Sequence, residues 1–293
     1  MLGSAAICLA GADPPLTMPP AAATLFGYLL VHHAEPQSRE LLSSVFWGDL
    51  PSDTSRRRLN TTVWRVRRVL EPTPSQRDRY LVVTPKTIGV RVGSFARLDV
   101  AEFESAVLPV LRRPQSQMTS ADASRLREAV DLYRGDLLVG SYDNWVIRER
   151  ERLAGLALST LARLVVWHRD RAEYEEAIGY AERVLAHDPL REDVYRTLMR
   201  LYADAGQRAR ALQTFARCRD LLDEELGVAP LPETIALVDS IGSNRPHAAP
   251  IDCSTVLDPA HRPPLLGQLI NAQRQVRDLE LSIAQAIDQL SAH

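Results

Sequence analysis

The sequence predicts a mainly α chain in three parts: an N-terminal α+β head, an all-α helical repeat domain and a C-terminal coiled-coil helix. Three observations carry this reading. The first part holds three amphipathic helical patterns followed by a β-branched hairpin, the middle repeats itself at a shift of 34 residues, and the tail alternates apolar residues by fours and threes. The implied divisions are residues 1–98, residues 99–242, a linker at 243–264 and the tail helix at 265–293.

In the head, residues 5–18 read as a short strand pair, ICLA and PLTM, with Gly11, Ala12 and Asp13 at the turn. A first helix is expected from Ala21 to His33, where Leu25, Phe26, Leu29 and Leu30 recur at helical spacing. Ser38 then caps a second helix carrying Leu41, Leu42, Val45, Phe46 and Trp47, which Gly48 and Pro51 end. Asp53 or Ser55 is expected to cap the third, in which Leu59, Val63, Val66 and Leu70 make one apolar stripe before Pro72. Tyr80 to Val92 has two β-branched runs separated by Pro85, Lys86 and Thr87, as in a hairpin. Three helices followed by a hairpin is the order of a winged helix-turn-helix.

From Asp99 onward the chain reads as helical, interrupted at 112–120 and again from Gly135 to Asp143. The shift of 34 places Leu164 on Leu198, Ala177 on Ala211 and Ile178 on Leu212, and that period is the tetratricopeptide one. A helix pair of this kind cannot bury its apolar face alone, so small residues such as Ala177 and Ala211 let neighbouring helices approach. After Gly242 a Pro-, Ser- and Ala-rich stretch without period reads as a linker. In the tail, Leu265, Ala272, Leu279 and Ala286 alternate with Leu269, Val276, Ile283 and Leu290. A seam this short needs a partner, either another copy or the body of the same chain, and self-association is the favoured reading.

Composition narrows the function. A 45% hydrophobic and 25% charged content is that of a globular soluble protein. Residues 1–98 carry twelve Lys/Arg against seven Asp/Glu, and residues 99–293 carry 23 against 30, so a head of net +5 precedes a remainder of net −7. A basic module ahead of an acidic one suits a polyanion in front and protein or solvent behind. Three scattered cysteines without CxxC indicate neither a disulfide framework nor a zinc site. There is no membrane-length apolar run and no positively charged leader, so a cytoplasmic, nucleoid-associated protein is expected. Neither GxxxxGK nor GxGxxG occurs, the histidines lack metal or triad spacing, and no cofactor, metal or catalytic residue is expected.

The chemistry gathers on the third helix. Opposite its apolar stripe lie Arg57, Arg58, Thr61, Trp64, Arg65 and Arg68, with Arg56 and Asn60 beside them. Guanidinium groups neutralise phosphates and grip guanine edges, while Thr and Asn make shorter contacts in the major groove of double-stranded DNA. Lys86 and Thr87 at the hairpin tip suit a wing on the flanking backbone. Any surface helix of an Arg-rich protein could show such a face; the helix-turn-helix order before it and the hairpin after it favour DNA binding.

The segment SRRRLNTTVWRVRRVLE, from Ser55 to Glu71, resembles the recognition-helix segment of the Streptomyces antibiotic regulatory protein family, whose DNA-binding domain is of the OmpR type. Downstream, LDVAEFE, LYRGDLL, Trp145 with Glu149 and Arg150, EYEEAI, DPLRED and EELGVAPLPET are similar to that family's bacterial transcriptional activator domain. The resemblance spans roughly residues 20 to 240. It departs at PPAAATL, where the family has basic residues before the first helix, and at Trp64, where a small Ser is common. The resemblance implies a pathway-specific activator of the secondary-metabolism type that is not an enzyme. Such a protein binds promoter direct repeats as a homo-oligomer and recruits RNA polymerase holoenzyme. The competing reading is a repeat-based protein-interaction adaptor whose winged helix no longer binds DNA.

Overall fold

Pro20 opens the first helix, a position where its missing N–H costs nothing, and α1 (Pro20–Val31) buries Ala22, Leu25, Phe26 and Leu29. The structure is a computed structural model that describes residues 2, 17–76, 78–91 and 98–243, all within one compact unit. The strand pair read at 5–18 lies outside these residues apart from Thr17 and Met18, which are irregular, and the tail at 265–293 and all of the linker but Ser243 lie outside as well.

Ser38 caps α2 (Arg39–Trp47) as its sequence position predicts, its hydroxyl accepting from the Leu41 N–H at 3.0 Å. The third helix is differently begun. α3 (Ser52–Leu70) starts after Pro51 with no side-chain cap, so neither Asp53 nor Ser55 caps it. Ser55 lies inside the helix and is buried, and its hydroxyl bonds back to the carbonyls of Leu50 and Pro51. Proline fixes its own φ near the value that leads into a helix, which removes the need for a capping side chain.

The hairpin is present as β2 (Leu81–Val83) and β3 (Thr87–Val90), but the sheet has a third strand that the sequence pattern does not betray. Two residues, β1 (Gln37–Ser38), pair antiparallel with β3, giving the order β1-β3-β2 with Gln37 opposite Ile88. A strand this short has no periodicity to read; its partner makes it a strand.

The helical domain follows as α4 (Asp99–Leu111), α5 (Ser120–Leu132), α6 (Asn144–Arg169), α7 (Tyr174–His187), α8 (Glu192–Asp204), α9 (Arg208–Leu226) and α10 (Pro232–Gly242). α5 opens on a reciprocal cap between Thr119 and Asp122. The 34-residue repeat is visible in the backbone itself. Ala172 and Gly206 both take the left-handed conformation between paired helices, at φ of 57° and 73°. The Glu173 N–H donates to the His168 carbonyl at 2.9 Å and the Gln207 N–H to that of Tyr202 at 2.7 Å, each pair one period apart. Leu164 and Leu198, and Ala177 and Ala211, are buried alike. Ile178 and Leu212 are not equivalent: Ile178 is buried, whereas Leu212 is 38% exposed. α7 is followed by a further helix pair and α9 by α10 alone, so the outer layer has less to cover it.

The head and the helical domain share one apolar core. Trp145 of α6 meets Tyr28 of α1 edge-on at 5.0 Å and Phe46 of α2 at 6.3 Å, and Tyr28 and Phe46 are themselves 5.6 Å apart. The loop before α6 joins them: the Leu138 side chain lies over Gly27, where an added Cβ would sit 2.8 Å from it. Leu2 bridges to Leu137, and its N–H donates to Asp99 at 2.7 Å.

Candidate nucleic-acid interface

α3 presents its two faces cleanly. Leu59, Val63, Val66 and Leu70 are buried, while Arg56, Arg57, Arg58, Asn60, Thr61, Trp64, Arg65 and Arg68 are all exposed. On the helical wheel Arg57, Thr61, Trp64 and Arg68 stand directly opposite the stripe, flanked by Arg56 and Asn60 on one side and Arg58 and Arg65 on the other. The separation follows from the sequence: apolar residues at helical spacing can leave water together only by turning this cationic face outward.

Among the described residues the guanidinium groups of Arg56, Arg57, Arg58 and Arg65 make no ion pair or hydrogen bond, so their charge is free to meet an anion. Arg68 lies over the Trp64 ring at 5.3 Å, and Trp64 is 56% exposed. This stacked pair offers a planar cation beside a planar apolar surface. The Thr61 hydroxyl donates to the Arg57 carbonyl at 3.0 Å, leaving its lone pairs outward.

Arg67, within the same run of arginines, has another task. It pairs with Asp78 at 2.7 Å and with Glu71 at 3.3 Å. Glu71 is buried and collects the backbone N–H groups of Asp78, Tyr80 and Leu81 at 3.1, 2.8 and 2.9 Å. One carboxylate therefore ties the end of α3 to the start of β2 and sets the position of the wing relative to the helix. The wing tip is locked locally: Thr84 and Thr87 exchange hydroxyl and backbone hydrogen bonds at 2.9 Å. Lys86 is exposed at the turn, and Thr87 is half-buried with its hydroxyl engaged in that lock.

Arg39, which sequence reasoning passed over, joins the two parts. Its N–H donates to the Lys86 carbonyl at 3.0 Å, and its guanidinium donates to Asn60 Oδ1 and reaches the Thr84 carbonyl at 3.5 Å. Asn60 is therefore held in place rather than free. A cation at the first position of a helix, where the macrodipole disfavours it, was the signal available in the sequence. Arg39, Trp47, Arg56, Asn60 and Lys86 line a groove of about 840 Å³ between α2, α3 and the wing.

A basic helix face thus stands beside a locked wing, in a unit that also holds the helical repeat. Residues 98–241 match the family model of the bacterial transcriptional activator domain, and the chain is similar to regulators of the Streptomyces antibiotic regulatory protein type. It is 26% identical over 261 residues to the regulatory protein AfsR of Streptomyces coelicolor, covering 87% of this chain and 26% of AfsR. It is 27% identical over 248 residues to the transcriptional regulatory protein MoaR1 of Mycobacterium tuberculosis, covering 82% of this chain and 78% of that one. The chain thus spans about a quarter of the length of AfsR. In fold it resembles Mycobacterium tuberculosis EmbR, solved in complex with a low-affinity phosphopeptide, with a TM-score of 0.59 at 17% identity over 83% of this chain and 63% of that one. No helix among the described residues is long and apolar enough to cross a membrane.

Proposed function

We propose that the chain is a sequence-specific, pathway-specific transcriptional activator that reads promoter direct repeats through α3 and the wing and recruits RNA polymerase holoenzyme. In this reading residues 1–98 bind double-stranded DNA, residues 99–242 carry protein contacts, and the tail at 265–293 pairs copies on adjacent repeats. The observation that carries it is the α3 face, where four arginines without partners among the described residues lie beside the Trp64 and Arg68 stack. Arg57, Arg65 and Arg68 are assigned to phosphates or guanine edges, Arg56, Arg58, Thr61 and Trp64 to flanking contacts, and Lys86 and Thr87 to the backbone beside the wing. Asn60 acts with Arg39 to orient the approach.

The test is a gel shift of the full chain on its own upstream region against random DNA in moderate salt. Preferential retention of the upstream fragment is expected. Replacing Arg57, Arg65 and Arg68 together by Ala should leave folding nearly intact, since exposed substitutions usually cost within about 0.5 kcal/mol. Each lost phosphate contact should reduce the slope of log affinity against log salt by about one, and each lost guanine contact should remove roughly 1 to 3 kcal/mol on the operator alone. Undiminished operator binding by the folded triple variant would remove α3 as the reader and favour the adaptor reading.

A further inference from the structure

The surface of α3 holds one side chain for which its charge does not account. Trp64 is the one large apolar residue among the exposed residues of that helix, 56% exposed, and it stands outside the apolar core of the described residues. It lies among the residues opposite the buried stripe of Leu59, Val63, Val66 and Leu70, within the cationic face. Thr61 and Arg68 neighbour it one turn away on either side, and the Arg68 guanidinium lies over its ring at 5.3 Å from the centroid. A lone exposed apolar side chain is ordinary on a protein surface. One set within a binding face, beneath a cation, invites a partner of its own.

What an indole can do in that place follows from what it faces. Phosphates are answered by guanidinium groups, and an uncharged ring adds nothing to their neutralisation. A recognition helix lies in the major groove, where base edges rather than base faces are presented. Among those edges the apolar group is the C5-methyl of thymine; the other bases offer hydrogen-bonding atoms instead. Arg68 fixes which neighbour that thymine has. A guanidinium that grips guanine O6 and N7 lies in the plane of that base, and a ring stacked on the guanidinium then stands about one base step away, roughly 3.4 Å along the duplex. The stack also restricts the Arg68 side chain before DNA arrives, which lowers the ordering cost of binding.

We propose that Trp64 is a specificity-determining residue that contacts the C5-methyl of a thymine, while Arg68, stacked on it, takes the guanine of the adjacent base pair. This contact rests on the reading of α3 as the DNA-binding helix, and it gives each recognised site a thymine beside a guanine.

The experiment uses the full chain on the upstream fragment that it retains, with the contacted site located by hydroxyl-radical footprinting. Duplexes of that site in which each thymine in turn is replaced by deoxyuridine lack one methyl and nothing else. The parent should lose about fourfold in affinity at one such position, the worth of one buried methyl. 7-Deazaguanine in an adjoining base pair, which lacks the N7 acceptor, should weaken it as well. Trp64→Ala should bind the thymine duplex more weakly and be indifferent to uracil at that position, whereas Trp64→Phe, which keeps an apolar ring, should recover the sensitivity. Arg68→Ala should lose the 7-deazaguanine effect, and thermal melting checks that each variant is folded. Equal binding of the parent to every deoxyuridine duplex, a Trp64→Ala variant with the parent's sensitivity throughout, or a sensitive thymine with no guanine in either adjoining pair would each overturn the proposal and leave α3 as a reader through its arginines. No preference of the parent for its upstream fragment over random DNA would remove the DNA-reading role itself, and the thymine contact with it.

Discussion

Trp145→Ala tests whether the head and the helical domain fold as one cooperative body. The ring is 4% exposed and lies edge-on to Tyr28 at 5.0 Å and 84°. Truncating a buried Trp to Ala costs about 3 to 5 kcal/mol through lost transfer energy and the cavity left behind. The contacts with Tyr28 and Phe46 add to this, since aromatic pairs contribute about 0.5 to 1.5 kcal/mol beyond their buried area. Working against them, the Trp145 indole N–H is buried without a partner among the described residues, and removing it relieves a desolvation cost of roughly 1 to 3 kcal/mol. The net expectation is a loss of about 3 to 4 kcal/mol. The same reasoning makes Trp145→Phe nearly neutral, within about 1 kcal/mol, because it keeps a ring and discards the orphan donor. Urea denaturation followed by circular dichroism measures both. The parent should unfold in one transition, Trp145→Ala should separate the two halves into two, and its combination with Tyr28→Leu should show a coupling of about 1 kcal/mol. A Trp145→Ala loss below about 1 kcal/mol, additive with Tyr28→Leu, would refute a shared core at this point.

The repeat makes its own forecast: Ala172 holds a left-handed φ of 57° where the next repeat has Gly206, so Ala172→Gly should stabilise the domain by about 1 kcal/mol in the same urea assay. Glu71→Ala leaves three backbone N–H groups of the wing without their acceptor and should destabilise by about 3 kcal/mol, with amide exchange of Tyr80 and Leu81 accelerating most. Asp122 has its pKa lowered to about 2, first by the Thr119 hydroxyl, then by the Thr119 N–H and Arg113. Because the folded value lies below the unfolded one, its contribution is complete above the ordinary carboxylate range and disappears as pH falls through about 2. The gap in melting temperature between the parent and Asp122→Asn should therefore be widest near neutral pH and close on acidification; a constant gap would contradict the capping geometry.

Much of this architecture was legible in the chain before any coordinates. Amphipathic spacing marked α1, α2 and α3, Ser38 marked a cap, β-branched runs marked β2 and β3, and self-similarity marked the 34-residue repeat, because each is a pattern among residues close in sequence. The solvent face of α3 was equally plain, since burial of Leu59, Val63, Val66 and Leu70 leaves the arginines no other side. The missed capping of α3 by Asp53 or Ser55 shows the limit of local reading: several residues were competent, and the geometry after Pro51 chose none of them.

Tertiary contact decided the rest. The two residues of β1 become a strand only beside β3, and Arg67 becomes a tie to the wing only because Asp78 and Glu71 lie within reach. Arg39 meets Asn60 across 21 residues, and Trp145 meets Tyr28 across more than a hundred. Helical period and turn chemistry act over a few residues and so are written in the sequence. Burial and pairing of a charged or aromatic group depend on whatever distant segment the packing brings alongside, and no local pattern carries that information.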